Sequence, residues 1–113
     1  MLAHHFRSVL GKKVLLSATT GAAARRLSRS ASTVHNNFVI PSKGFIRQLK
    51  QTNVMRDVLK QSDVFFIDEM SMMTSDLFAN VLNRLMQVKG CHSIPALLDK
   101  VLIILVGDHQ QVR

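Results

Sequence analysis

Three short runs in this chain have an apolar centre, and each ends abruptly in polar residues. The clearest is Val64-Phe65-Phe66-Ile67, which runs into Asp68-Glu69. A second, over residues 12–18, ends at Thr19-Thr20-Gly21, and a third, over residues 101–106, ends at Gly107-Asp108-His109-Gln110-Gln111. A strand that is apolar on both sides of its pleat must be covered on both faces, which requires a parallel sheet sandwiched between helices. The segments between the runs supply those helices. Residues 75–88 carry Leu77, Phe78, Val81, Leu82, Leu85 and Met86 on one face, with Thr74 placed to cap the start and Lys89-Gly90 the end. Residues 22–27 start an Ala-rich helix, and residues 45–60 form another, with Val54, Met55, Val58 and Leu59 as its apolar stripe. Leu2, Phe6, Val9 and Leu10 recur at helical spacing before Gly11. Residues 28–43 read as polar and irregular, with Pro41 and Gly44 as punctuation, and a loop through Pro95 leads to the last strand. The expected class is α/β, a doubly wound parallel sheet of three strands with flanking helices.

A chain of 113 residues fits one small domain or a piece of one. Its 47% hydrophobic content and mean hydropathy of +0.15 are those of a chain that buries a core. The longest apolar run falls far below the roughly 20 residues a membrane helix needs, and Val14–Leu16 is too short for the core of a signal peptide. Cys91 is the single cysteine, so an internal disulfide is excluded and a reducing, intracellular setting is expected.

Charge is unevenly distributed. Residues 1–60 hold eleven Lys/Arg against one acid, Asp57, a balance of +10; residues 61–113 hold four against six acids, a balance of −2. A basic half joined to a mildly acidic half suits a surface facing a polyanion beside a site that needs carboxylates, although a basic face is also simply well solvated. With neither Trp nor Tyr, any stacking on bases falls to Phe, His or Arg.

Ligands of open parallel sheets bind beyond the carboxyl ends of the strands. There Asp68 is suited to hold a hydrated Mg²⁺ against phosphate oxygens, and Glu69 to polarise an attacking water as general base. Two acids after a strand also arise as a helix cap. At the third strand end Gly107 permits a sharp turn, and Asp108 is placed to orient a catalytic group or a loop amide. Gln111 is a neutral amide able to donate to a γ-phosphate and accept from a water at once. A polar turn would account for either feature singly; their occurrence at consecutive strand ends favours nucleotide chemistry.

Residues 64–72, Val-Phe-Phe-Ile-Asp-Glu-Met-Ser-Met, resemble the Walker B motif of superfamily 1B DNA helicases of the Pif (petite integration frequency) type. Residues 105–111, Leu-Val-Gly-Asp-His-Gln-Gln, resemble motif III of that family, G-D-x-x-Q. Ser17-Ala18-Thr19-Thr20-Gly21-Ala22-Ala23-Ala24 is similar to its motif Ia, Ala-Pro-Thr-Gly-x-Ala-Ala, and residues 32–38 to the Thr-Ile-His-x-x-Phe element that follows. Four motifs in the family's order cover nearly the whole chain. The resemblance implies a P-loop NTPase (RecA-like) motor domain, present in part, over residues 1–113. It implies ATP as substrate, Mg²⁺ as cofactor and single-stranded DNA as partner, with translocation 5′ to 3′ in repair, recombination or telomere maintenance. The nucleus is the expected compartment and the mitochondrion the alternative. It places Thr20, Gly21, Arg25, Arg26, Thr33, His35 and Phe38 against DNA, which agrees with the basic side chains Arg29, Lys43, Arg47 and Lys50 nearby. A histidine that fixes its loop and a phenylalanine that packs in the core are the structural alternatives for His35 and Phe38.

The chain departs from the family pattern in several places. No G-x-x-x-x-G-K-[ST] phosphate loop is present, and the resemblance sets Leu2–Leu10 at the end of the helix that follows that loop. The second motor domain with its arginine finger has no counterpart, and Thr19 stands where the motif carries proline, which is expected to loosen the turn. The resemblance further implies that the Walker B strand lies between the other two, with the motif III strand as an open edge. Weak stability, aggregation and negligible ATP affinity are then expected of this chain alone. A DNA-binding remnant without turnover, or another nucleic-acid ATPase, is the alternative reading.

Overall fold

The computed structural model describes residues 12–42, 46–69 and 72–107. The expected opening helix and the positions Lys43, Gly44, Met70, Asp108 and Gln111 lie outside these residues. The elements run β1 (Val14–Ala18), α1 (Gly21–Leu27), β2 (Ser32–Thr33), α2 (Val34–Asn37), α3 (Val54–Gln61), β3 (Val64–Asp68), α4 (Ser75–Lys89), α5 (Ile94–Leu98) and β4 (Leu102–Leu105).

All pairings are parallel, and the strand order is β2-β1-β3-β4. The register aligns Leu15 with Phe65 and Phe65 with Ile103, so alternate residues reach the same layer. Leu15, Phe65, Ile67, Ile103 and Leu105 belong to the larger core, shared with Val34 and Phe38, Leu59 of α3, Val81, Leu85 and Val88 of α4, and Leu97 of α5. Val14, Leu16, Val64, Phe66 and Ile104 form a second cluster with Leu27 and Ala31. Ala18, Ala23 and Ala24 pack together at the end of β1, where the absence of larger side chains lets α1 lie close to the strand. Helices thus cover both faces, as the uninterrupted apolar strands require. The Walker B-like strand β3 lies between β1 and β4, in the expected order.

Four corrections to the sequence reading have physical causes. The sheet has a fourth strand, because Ser17 and Ala18 pair with Ser32 and Thr33 in a segment expected to be irregular. Thr33 then caps the short α2 through a bond from Asn36 N to its Oγ1 at 3.2 Å. Residues 93–98 are not a plain loop: Ser93 accepts from Ala96 N, and Pro95 occupies the first turn of α5, where no amide hydrogen is needed. The helix expected over residues 45–60 is confined to Val54–Gln61. Upstream of it the backbone is recruited by side chains: Leu49 N donates to Gln87 Oε1 at 2.8 Å, and Arg56 Nη1 donates to Leu49 O at 2.8 Å. Of the expected stripe only Leu59 is buried, whereas Val54 is 79% exposed.

Helix α4 follows its sequence signals closely. Thr74 Oγ1 accepts from Leu77 N at 3.1 Å, and Gly90 at φ 69° closes the other end with its N–H on Met86 O. Lys89 then donates to Lys60 O at 2.6 Å and Ser62 O at 2.8 Å, tying the end of α4 to the end of α3. Burial of its stem pulls the Lys89 ammonium below its ordinary value, with Asp63 and Cys91 opposing the shift and Lys100 adding to it.

Candidate nucleotide and nucleic-acid site

The carboxyl ends of the four strands form one continuous polar edge. In strand order it runs from Thr33 and His35, through Thr19 to Arg26, to Asp68-Glu69, and on to Gly107. The ends of β1, β3 and β4 are stitched by backbone bonds from Thr19 N to Asp68 O (3.3 Å) and from Val106 N to Ile67 O (2.8 Å).

Glu69 is the most constrained residue on this edge. Its φ of 62° places a non-glycine residue in the left-handed region, at a cost of about 1–2 kcal/mol. Such a conformation persists only when its surroundings enforce it. Here Glu69 N donates to Asp68 Oδ1 at 2.8 Å, while Glu69 O accepts from Thr19 Oγ1 at 3.0 Å and from Met72 N at 3.0 Å. The carboxylate meets Arg26 Nη2 at 3.5 Å. Backbone and side chain are therefore held from both β1 and α1. Thr19 does not loosen this turn. Its amide and its hydroxyl both donate across to β3, and a proline at this position has neither donor.

Helix α1 and the loop after β2 carry the next group of sequence-predicted residues. Thr20 caps α1, accepting from Ala23 N at 3.1 Å, and Arg25 and Arg26 project from that helix into solvent. Gly21 opens the helix, and a β-carbon there would lie 3.4 Å from Arg25 Nη1, in ordinary contact. His35 is half-buried at a cleft of about 290 Å³ lined also by Pro41, Thr74, Asp76 and Asn80. The bond that closes its loop runs from Ile40 N to the His35 carbonyl at 2.9 Å.

Phe38 departs from the expected role. It is 0% exposed, and its ring lies 5.8 Å from that of Phe65 in the sheet core. No ring surface is left for a base, so Phe38 is a core residue. Gly107 is half-buried two residues beyond the end of β4, while Asp108 and Gln111 lie outside the described residues.

Two residues that shape this edge escape a motif-based reading. Buried Asn37 donates through Nδ2 to Leu16 O (3.0 Å) and Ser17 Oγ (2.8 Å), locking the 32–38 segment onto β1. Arg84, 2% exposed, donates from Nε to Phe38 O (2.8 Å) and from Nη2 to Val39 O (2.7 Å). Its Nη1 reaches Arg47 O (2.6 Å) and Gln87 Oε1 (2.7 Å). Burial holds its guanidinium below its ordinary value. A signal for Arg84 existed: it interrupts the α4 stripe formed by Val81, Leu85 and Val88.

Among the described residues no cluster of three or more His, Cys, Asp or Glu side chains could enclose a metal ion. The donors at the β3 end are oxygens, with Asp68 as the carboxylate that ends the strand. That set suits Mg²⁺, which keeps several waters and takes one or two carboxylates together with phosphate oxygens.

The fold is shared with solved chains of a Bacteroides protein. The structure of Bacteroides sp Pif1 in complex with ADP-AlF4 matches with a TM-score of 0.70 at 23% identity, over 93% of this chain and 24% of that one. Bacteroides Pif1 bound to ssDNA matches with a TM-score of 0.76 at 23% identity, over 95% and 25%. A third, the Bacteroides Pif1 helicase in complex with ADP-AlF3 and ssDNA, matches with a TM-score of 0.75 at 22% identity, over 96% and 25%. The chain thus spans about a quarter of the length of these relatives. No curated protein sequence matches it. The family model described as AAA domain aligns with residues 1–113, and with the parallel sheet and its polar edge this places the chain in the AAA domain family.

Proposed function

We propose that this chain supplies part of the first motor domain of an ATP-dependent DNA helicase of the Pif type. In this reading Asp68 holds Mg²⁺ through water and Glu69 is the general base for ATP hydrolysis. Gln111 contacts the γ-phosphate and the attacking water, with Asp108 and Gly107 shaping that loop. Bound Mg²⁺ would neutralise charge on the phosphates. Thr20, Gly21, Arg25, Arg26, Thr33 and His35 face single-stranded DNA along the neighbouring strand ends. Translocation 5′ to 3′, a role in genome maintenance and a nuclear location belong to the same proposal.

The observation that carries it is the constrained Glu69. It puts an acid in a strained conformation at the meeting point of β1 and β3, in the crevice where parallel sheets bind ligands, with its carboxylate still partly open to solvent. The ADP-AlF4 and ssDNA complexes named for the Bacteroides relatives lend support from proteins of the same fold.

The nucleic-acid half is tested by titrating a labelled oligo-dT with the chain at several salt concentrations. Each phosphate contact made by a cation adds roughly −0.7 to the slope of log K against log salt for a single strand. The Arg25→Gln/Arg26→Gln double variant is expected to reduce the slope by about 1–1.5. A wild-type slope near zero refutes the assignment.

A further inference from the structure

We infer that Arg26 is a positioning residue for Glu69, and that single-stranded DNA releases the Glu69 carboxylate by drawing the Arg26 guanidinium onto a phosphate. This rests on the reading above of Glu69 as general base and of Arg26 as phosphate-facing.

The pair is asymmetric. Arg26 is 70% exposed at its side chain, whereas Glu69 is 31% exposed, so the arginine keeps an open side toward solvent while holding the acid on its inner side. It is the one ion pair found among the described residues. The 3.5 Å approach comes through a single guanidinium nitrogen, which leaves most of the donor fork uncommitted. An exposed pair of this kind favours its closed form by no more than about 5-fold. A phosphate takes the fork bidentately and also gains from counterion release, so it outcompetes the carboxylate.

What the exchange would alter is equally confined. The Glu69 backbone is fixed independently by Asp68 Oδ1, Thr19 Oγ1 and Met72 N. Losing Arg26 therefore frees the carboxylate rotamer and removes a neighbouring positive charge without unfolding the turn. Both changes suit a general base, which must reach a water and accept its proton. One side chain in the last turn of α1 thus links occupancy of the DNA surface to readiness of the acid at β3.

Linkage is reciprocal, so the effect is measurable as DNA affinity without any nucleotide. Oligo-dT binding to the full chain is measured by fluorescence anisotropy at low salt for wild type, Glu69→Gln, Arg26→Gln and the double variant. Glu69→Gln is expected to tighten binding by about 1.5- to 5-fold more when Arg26 is present than in the Arg26→Gln background. The non-specific gain from removing a negative charge is common to both backgrounds and cancels. The same factor in both backgrounds overturns the inference while leaving the DNA reading intact. A wild type that binds oligo-dT with no salt dependence overturns both. If Glu69→Gln fails to fold by circular dichroism, Glu69→Ala completes the cycle under the same criteria.

Discussion

Replacing Arg84 by methionine tests what fixes the segment between α2 and α3. The stem would be conserved and the guanidinium lost, leaving the carbonyls of Phe38, Val39 and Arg47 without their donors. A buried acceptor left unsatisfied costs about 1–3 kcal/mol. Phe38 is buried and Val39 half-buried, so their carbonyls bear most of this, whereas Arg47 is exposed and its carbonyl can turn to water. Gln87 Oε1 retains Leu49 N. Part of the cost is returned, because Val39 sits at φ 54°, a left-handed conformation that a β-branched residue adopts at a cost of about 1–2 kcal/mol. Once Arg84 releases its carbonyl, Val39 can relax. The net expectation is a loss of about 2–4 kcal/mol, a large share of the 5–15 kcal/mol typical of a domain. Urea denaturation followed by far-UV circular dichroism gives the total, and amide exchange should show protection lost at residues 38–40 and 47–49 before the sheet. Arg84→Lys, which keeps a charge but not the fork, is expected to fall between. A loss below about 0.5 kcal/mol, or unchanged exchange at residues 38–40 and 47–49, would falsify the account of Arg84 as the anchor.

Further substitutions test other parts of the structure. Phe38→Leu should cost about 1–2 kcal/mol through imperfect refilling of the core and leave oligo-dT affinity unchanged; weakened binding in a variant of wild-type fold would return Phe38 to the DNA surface. Gly90→Ala should cost about 1 kcal/mol from its φ of 69° alone, since a β-carbon there meets no atom within 4 Å. Thermal unfolding of Gly90→Asn should show a smaller loss, and equal losses would point to a clash instead. For Lys89 the sign is set by its lowered value: the unfolded chain binds the proton more readily. Stability contributed here is therefore present above the ordinary lysine value and diminishes as pH falls through the folded one. As pH is raised toward the ordinary lysine value, denaturation midpoints should rise more for wild type than for Lys89→Gln, and identical slopes would contradict this.

How much of this was legible beforehand depended on whether the signal was local. Strands β1, β3 and β4 and helix α4 were readable because burial on both faces imposes an uninterrupted apolar run and because Thr74 and Gly90 mark helix ends chemically. The order of the strands came from the resemblance, not from any local pattern. Residues 46–53 misled because their apolar spacing suits a helix, but Gln87 and Arg56 draw the Leu49 amide and carbonyl away from it, and Arg84 takes the Arg47 carbonyl. Those partners lie up to 38 residues away along the chain. The two residues of β2 are too few to announce a strand, and only pairing with Ser17 and Ala18 defines them. At the candidate site the identities of Asp68 and Glu69 were readable, but the left-handed backbone of Glu69 and its grip by Thr19 and Arg26 were not. Phe38 failed as a surface residue because one aromatic ring in a motif serves equally well as a wedge in the core.

Thr19 stands where the resembled motif carries a proline, and the two residues stiffen a turn by different means. A proline limits the backbone through its ring, before and after folding alike, and that restriction cannot be lifted. Threonine here limits it through two hydrogen bonds to β3, at 3.3 and 3.0 Å, which exist only while the strands are aligned. The turn beside Glu69 is thus held by a clasp and not a weld. It can open and shut again without any bond isomerising, so a movement of α1 that parts the strand ends would be transmitted to the acidic end of β3 and would reverse when the strands realign.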